Sequence, residues 1–380
     1  MNEVSRFYDA QNQLRGTHVA LRWNGRMRYA VPCEPAAQKA CWKIFQPGRL
    51  ELPLRAMASL PRLCGAINCV ESETLVSIRK TIGYEAGFSC CRTGAPGPWS
   101  KDTILLLDDR TVTPLCIVKG GAGEAVGSLL RNEANWLQSL QAQASLGEHV
   151  PRLIGYHQAA DLSFVAECPL PGRRDDSFGK LHSVFLRKLQ DFSRQTMRLE
   201  ESRLYLNLCA RLKGLNGRLS PAWSDRLDKG MRQIEKTLSG PPILLVAAHN
   251  DFTVWNIRVE SGIARVFDWE YADHGQFPLF DPLHFALMPM ALRNSSTIKM
   301  VQSMRNTIQL CRQWLGEESC YEGQTQALAY LMNLCTLYLS SMKGKYDFNP
   351  VLDGYANIID HLCFSRKSVM ETRHLSCILI

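Results

Sequence analysis

A chain of 380 residues is too long for a single small core and fits a two-lobed enzyme or two to three packed units. Its hydrophobic share of 46% and charged share of 21% exclude wholesale disorder and a fibrous architecture. The net charge of +8 is distributed without a basic run or tail, so nucleic acid is not an expected partner.

The N-terminus, MNEVSRFYDAQNQLRG, has no apolar core, and no stretch of about 18 consecutive apolar residues occurs, so neither export nor a membrane span is expected. The 14 cysteines lack C-x-x-C spacing, and the adjacent Cys90 and Cys91 cannot bridge each other without strain. Reduced thiols in a cytoplasmic protein are the expectation. Cys377-Ile378-Leu379-Ile380 has the outline of a prenylation box, but its last residue is not a favoured one and no polybasic run precedes it.

Residues 17 to 32 read as a β-hairpin turning at Asn24-Gly25, and 35 to 46 and 52 to 63 as helices separated by Pro47-Gly48. With a short helix over 71 to 82 beginning near its end, residues 1–72 are expected to form an N-terminal extension. Three antiparallel strands follow, FSCCRTG at 88 to 94, TILLLDD at 103 to 109 and TPLCIVKG at 113 to 120. An amphipathic helix is expected over 124 to 143, then a strand over 162 to 168 and a hinge at Pro169-Leu170-Pro171-Gly172. These bounds set one lobe at 73–168 and a second, mostly helical, at 169–380. In the latter the spacing predicts helices near 182 to 212, 222 to 238, 298 to 315, 322 to 342 and 350 to 364. Between them, ILLVAAH and IARVFDW read as two strands delivering polar residues to one place.

Those polar residues are His249, Asp251 and Asn256, then Asp268 and Glu270. Phosphoryl transfer asks a protein for a carboxylate to orient and deprotonate the attacking hydroxyl, and for hard oxygen ligands to hold the magnesium that bridges the phosphates. Asp251 is the candidate base; Asn256 and Asp268 are candidate metal ligands, and Glu270 a further one. His249, beside a carboxylate that already supplies the base, reads as scaffold.

His249-Asn250-Asp251-Phe252-Thr253-Val254-Trp255-Asn256 and Val266-Phe267-Asp268-Trp269-Glu270 resemble the catalytic loop and metal-binding aspartate of protein kinases. More closely they resemble the aminoglycoside phosphotransferase and choline kinase family, whose loop reads H-G-D-x-x-x-x-N followed by I-D-W/F-E/D. Asn250 departs from the usual glycine, changing backbone freedom but removing no functional group. The resemblance, over roughly residues 85 to 345, implies an α+β, two-lobed protein-kinase-like fold with a small antiparallel β lobe and a helical lobe. It implies ATP or GTP as donor, Mg2+ as cofactor, and transfer of the γ-phosphoryl group to a hydroxyl of a sugar, amino sugar or amino alcohol. It also implies a strand lysine paired with a helix glutamate, here Lys119 and Glu133, with Glu124 too near the helix start. Glu167 and Cys168 fall where the family's backbone meets adenine, and Leu170-Pro171-Gly172 resembles its L-P-G turn.

The segment from Gly94 to Lys101 reads equally as a hairpin loop or a phosphate cradle, since Pro96 and Pro98 have no N–H to offer. Asp281 is expected to N-cap a helix starting at Pro282, and Trp255 and Trp269 to pack. Acidic residues for a cationic acceptor are sought among Asp191, Glu200, Glu201, Glu317, Glu318 and Glu322. Asn256→Asp is expected to be milder than Asp251→Asn or Asp268→Ala, because an oxygen ligand remains. Two alternatives stand: a catalytically inactive nucleotide-binding module, and a protein kinase, against which the lack of an A-P-E motif after Asp268 argues.

Overall fold

Successive residues of a strand face opposite sides of its sheet, and Cys90 and Cys91 show it: Cys90 packs with Leu105 and Leu107, Cys91 with Ile104 and Leu106. The computed structural model describes residues 3–10, 17–23, 26–45, 52–59, 67–94, 97, 99–159, 161–342 and 349–364. The chain divides into two compact units, Met1–Leu170 and Pro171–Ile380. The Asn24-Gly25 turn, Pro47-Gly48, residues 60–63 of the expected second helix, three positions of the glycine-proline loop (95, 96 and 98) and residues 377–380 lie outside the described residues.

In the first unit the strands are β1 (Glu3–Ser5), β2 (Tyr8–Ala10), β3 (His18–Trp23), β4 (Arg26–Pro32), β5 (Ile67–Glu71), β6 (Phe88–Arg92), β7 (Asp102–Leu107), β8 (Pro114–Gly121), β9 (Leu153–Gln158) and β10 (Ser163–Glu167). They form one ten-stranded sheet in the order β1-β2-β5-β3-β4-β6-β7-β8-β10-β9. The expected extension is not a unit of its own. Its strand β4 pairs with β6 through Tyr29↔Arg92 and Ala30↔Cys91, giving the backbone groups along that side of β6 their partners. β9 escaped the sequence reading because its residues are only partly buried or exposed and carry no clean alternation.

Helices α1 (Pro35–Phe45) and α2 (Leu52–Ser59) cover the Cys90 face, while α3 (Glu73–Thr81) covers the Cys91 face through Leu75 and Ile78. The expectation of reduced thiols fails at one place, where α1 carries Cys41 onto β6 and the two cysteines form the disulfide Cys41–Cys90. A sequence separation of 49 hides that pairing from any reading of local spacing. Cys116 remains a buried thiol, pushed up to about 12 chiefly by burial. Helix α4 (Glu124–Gln141) packs on β9 and β10 through Leu130, Ala134 and Val165.

The second unit holds α5 (Lys180–Phe192), β11 (Arg194–Met197), α6 (Arg203–Leu215), α7 (Pro221–Leu238), β12 (Ile243–Ala248), β13 (Ile257–Glu260), β14 (Ile263–Val266), β15 (Asp273–Gln276), α8 (Phe280–Leu292), α9 (Thr297–Leu315), α10 (Gly323–Ser341) and α11 (Pro350–Phe364). The single helix expected over 182 to 212 is broken. The chain leaves α5 at Phe192, pairs as β11 with β12, and restarts as α6 under Ser202, whose hydroxyl accepts from the Tyr205 N–H at 3.2 Å. Strands β11, β12 and β15 form one small antiparallel sheet; β13 and β14 form a separate hairpin.

Most residues of α10 are buried, which makes it the axis of the helical core. It passes so close to α7 that a Cβ at Gly230 would lie 2.6 Å from Met332 Sδ. Among the described residues no helix is long and apolar enough to cross a membrane.

Candidate functional site

In the first unit β8 and β10 run antiparallel with Lys119 opposite Val165 and Ile117 opposite Glu167, so Lys119 and Glu167 share a face. α4 turns Glu133 toward the same place. Lys119 Nζ donates to Glu133 Oε1 at 2.5 Å and lies 3.4 Å from Glu167 Oε1. All three residues are buried, and an ammonium out of water needs such compensation. Glu124 is exposed in the first turn of α4 and is not the partner. The sequence points to the backbone of Glu167; its side chain is brought to Lys119 by the pairing of β8 with β10. The neighbouring Cys168 N–H is already donated to the Arg152 carbonyl at 2.8 Å, so this amide is not one that meets a base.

In the second unit β12 ends at Ala248 and releases the loop that carries Asp251. Asp281 anchors the start of that loop. It is not the N-cap of α8 but lies inside the first turn, with Oδ2 accepting from the His249 N–H at 2.8 Å and Oδ1 from the Asn250 N–H at 2.9 Å. Burial pushes its carboxyl pKa up, while His249 and the two backbone donors pull the other way. His249 links the loop to the strand beyond it. Its Nδ1 accepts from the Asp251 N–H at 3.2 Å, which leaves Nε2 to carry the hydrogen donated to the Phe267 carbonyl at 3.1 Å.

Asp251 takes one donor on each oxygen. His284 Nε2 lies 3.1 Å from Oδ1, and Asn256 Nδ2 donates to Oδ2 at 2.8 Å and to the Asp251 carbonyl at 3.0 Å. The carboxylate keeps 26% of its side-chain surface exposed. His284 was not singled out from the sequence. The available signal was D-P-L-H, which sets Asp281 and His284 three residues apart on one face of α8, both toward the loop.

Two backbone positions here are left-handed, Asn250 at φ 62° and Asp268 at φ 75°. Asparagine is among the few side chains that tolerate this region, and Asn250 Nδ2 also donates to the Tyr271 carbonyl at 3.0 Å, so it stands in for the glycine of the resembling motif. Asn250→Gly is therefore expected to stay within about 1 kcal/mol of wild-type stability, whereas Asn250→Val is expected to lose about 1–2 kcal/mol, measured from urea midpoints. Equal midpoints for the two variants would contradict the left-handed assignment.

Asn256 and Asp268 flank the β13–β14 hairpin at the same end. Ile257 pairs with Val266, and the Phe267 N–H donates to the Asn256 carbonyl at 3.1 Å. With Asn256 Nδ2 committed to Asp251, its Oδ1 is left to act as a ligand. That oxygen and the Asp268 and Glu270 carboxylates are hard-oxygen groups of the kind magnesium takes, and an oxygen of each of the two carboxylates lies within 4.8 Å of one on the other. Glu270 is buried on the one-turn 3-10 helix after Asp268.

Trp269 is fully buried against His249, with ring centroids 4.6 Å apart, and Trp255 packs on the helical core. Burial first, then the charges of Asp268 and Asp251, pushes the Tyr271 hydroxyl up to about 12. The acidic residues sought for an acceptor pocket lie on the surface, with Glu318 paired to Arg194 and Glu317 to Arg312; Glu322 alone is half-buried.

No protein-family model matches the sequence, and no curated protein matches it. Solved structures match its fold. A thermostable mutant of aminoglycoside phosphotransferase APH(4)-Ia, in ternary complex with AMP-PNP and hygromycin B, is 13% identical, with 76% of this chain and 99% of that one covered at a TM-score of 0.50. ADP-bound aminoglycoside phosphotransferase APH(2'')-Ib is 13% identical, with 77% and 98% covered at 0.48. A choline/ethanolamine kinase family protein from Mesorhizobium loti is 15% identical, with 77% and 92% covered at 0.49. At such identities the likeness is one of fold: the chain has the α+β, kinase-like fold of the aminoglycoside phosphotransferases.

Proposed function

We propose, taking that shared fold as the premise, that the chain is a phosphotransferase that moves the γ-phosphoryl group of ATP or GTP to a hydroxyl of a small molecule. The observation that carries the reading is the Asp251 carboxylate, fixed between Asn256 and His284 with one side open. In the reaction the acceptor oxygen bonds to the γ-phosphorus, the bond to the β–γ bridging oxygen breaks, and Asp251 takes the hydroxyl proton. Lys119, held by Glu133, contacts nucleotide phosphates. Asn256, Asp268 and Glu270 would hold Mg2+, which when bound would offset the negative charge of the phosphates. The acceptor class is a sugar, amino sugar or amino alcohol, and the compartment is the cytoplasm.

Thermal unfolding with ATP or GTP, with and without Mg2+, tests this without knowledge of the acceptor. A nucleotide at about 100 times its Kd is expected to add about 2.7 kcal/mol of stability, in a magnesium-dependent manner. That gain is expected to vanish in Asp268→Ala, and equally in Asp268→Gly, which suits the left-handed backbone there. No shift with either nucleotide at millimolar concentration would sink the reading. A shift without phosphoryl transfer to any hydroxyl, water included, would favour the inactive nucleotide-binding module.

A further inference from the structure

Behind Asp251 a chain of buried polar side chains runs into the helical core. His284 Nε2 lies 3.1 Å from Asp251 Oδ1, Tyr330 Oη lies 3.1 Å from His284 Nδ1, and Tyr355 Oη lies 3.1 Å from Tyr330 Oη. His284, Tyr330 and Tyr355 come from α8, α10 and α11 and are 4%, 2% and 0% exposed. Three polar side chains in a row inside an apolar bundle are expensive to bury unless every hydrogen has a place.

With the His284 ring neutral, every hydrogen has one, and in a single arrangement. An ionised carboxylate only accepts, so His284 Nε2 carries the hydrogen that Asp251 Oδ1 receives. The lone pair of the neutral ring is then at Nδ1 and takes the Tyr330 O–H. Tyr330 oxygen in turn accepts from the Tyr355 O–H. Burial pushes both hydroxyls far above their ordinary range, which keeps them protonated as donors. Reversing any one bond places two donors, or two acceptors, against each other.

We propose that His284 is a positioning residue for Asp251, locked in its Nε2–H tautomer by Tyr330 and Tyr355, so that the carboxylate presents its remaining lone pairs to the acceptor hydroxyl. This rests on Asp251 being the base, and it adds a support on the opposite oxygen from Asn256. A carboxylate held only by Asn256 can pivot about that bond; a donor on each oxygen removes the rotation.

The test uses the full chain and needs no acceptor, because turnover is read as nucleotide hydrolysis with water in the acceptor's place. His284→Ala is expected to lower kcat about tenfold or more, with the nucleotide KM within about twofold. His284→Gln, whose amide nitrogen can donate from near the Nε2 position, is expected to recover most of that loss. Tyr330→Phe is expected to lower kcat by a smaller factor. In the 1H–15N spectrum of the imidazoles, wild-type His284, assigned by its absence in His284→Gln, is expected as Nε2–H, and Tyr330→Phe is expected to move it. Unchanged kcat in His284→Ala, a glutamine variant no better than alanine, or an Nδ1–H ring in the wild type would each overturn the proposal. Should the wild type show no turnover, the phosphotransfer reading fails, and the imidazole spectrum still decides the hydrogen-bond chain by itself.

Discussion

Asp251→Asn is expected to lower turnover by about 10²–10⁴-fold while nucleotide binding stays within about twofold of wild type. Two effects combine. The amide cannot take the acceptor's proton, and it replaces an all-acceptor group with one oxygen and one NH2. Because His284 and Asn256 each aim a donor at Asp251, one of them then faces the NH2 group whichever way the amide turns. The loop itself is anchored elsewhere, by Asp281 on the His249 and Asn250 N–H groups, so the fold should survive. Loss of turnover with retained magnesium-dependent nucleotide binding is the expected pair of results. Normal turnover would remove Asp251 from the site.

Asn256→Asp is expected to be severe, against the sequence-based expectation that a retained oxygen ligand makes it milder than the other two substitutions. Asn256 Nδ2 donates twice to Asp251, to the carbonyl at 3.0 Å and to the carboxylate at 2.8 Å. The substitution turns both bonds into oxygen facing oxygen and sets two carboxylates side by side. At about 4 Å and an effective dielectric near 20, two like charges repel by about 4 kcal/mol, partly relieved here by the solvent that reaches Asp251. Either the pair shares a proton or Asp251 swings away, and both end its service as a base. A fall in kcat of about 10²-fold or more, together with a lower urea midpoint than wild type, is expected. A variant within about threefold of wild type would show that the Asn256 amide does not orient Asp251.

Local chemistry settles what local sequence can report. The β-prone runs over 88 to 120, the amphipathic helix after Lys119 and the helical spacing beyond the hinge were all readable, because each element's own periodicity records which of its sides is buried. The order of Asp251, Asn256 and Asp268 was readable for a similar reason, since a short loop and hairpin carry them and their spacing is set by chain geometry. The break at Phe192 was not, because Arg194–Met197 becomes a strand only through its pairing with β12, about 50 residues away. The ten-stranded sheet, the Cys41–Cys90 bond and the side-chain role of Glu167 were hidden for the same reason. Each depends on a partner distant in sequence.

By itself, then, the sequence determined the fold class, most of the helices and strands and the list of candidate chemical groups, all properties of single segments. Only the tertiary structure decided what each group touches. It made Asp281 an anchor for the loop that carries Asp251 instead of a helix cap, and it made Asn256 a donor to Asp251 as well as a candidate ligand. It also brought His284, Tyr330 and Tyr355 from three helices into one line behind Asp251. Hydrogen bonds are directional and short, so their partners are selected by the packing of whole helices, and no periodicity within one segment carries that information.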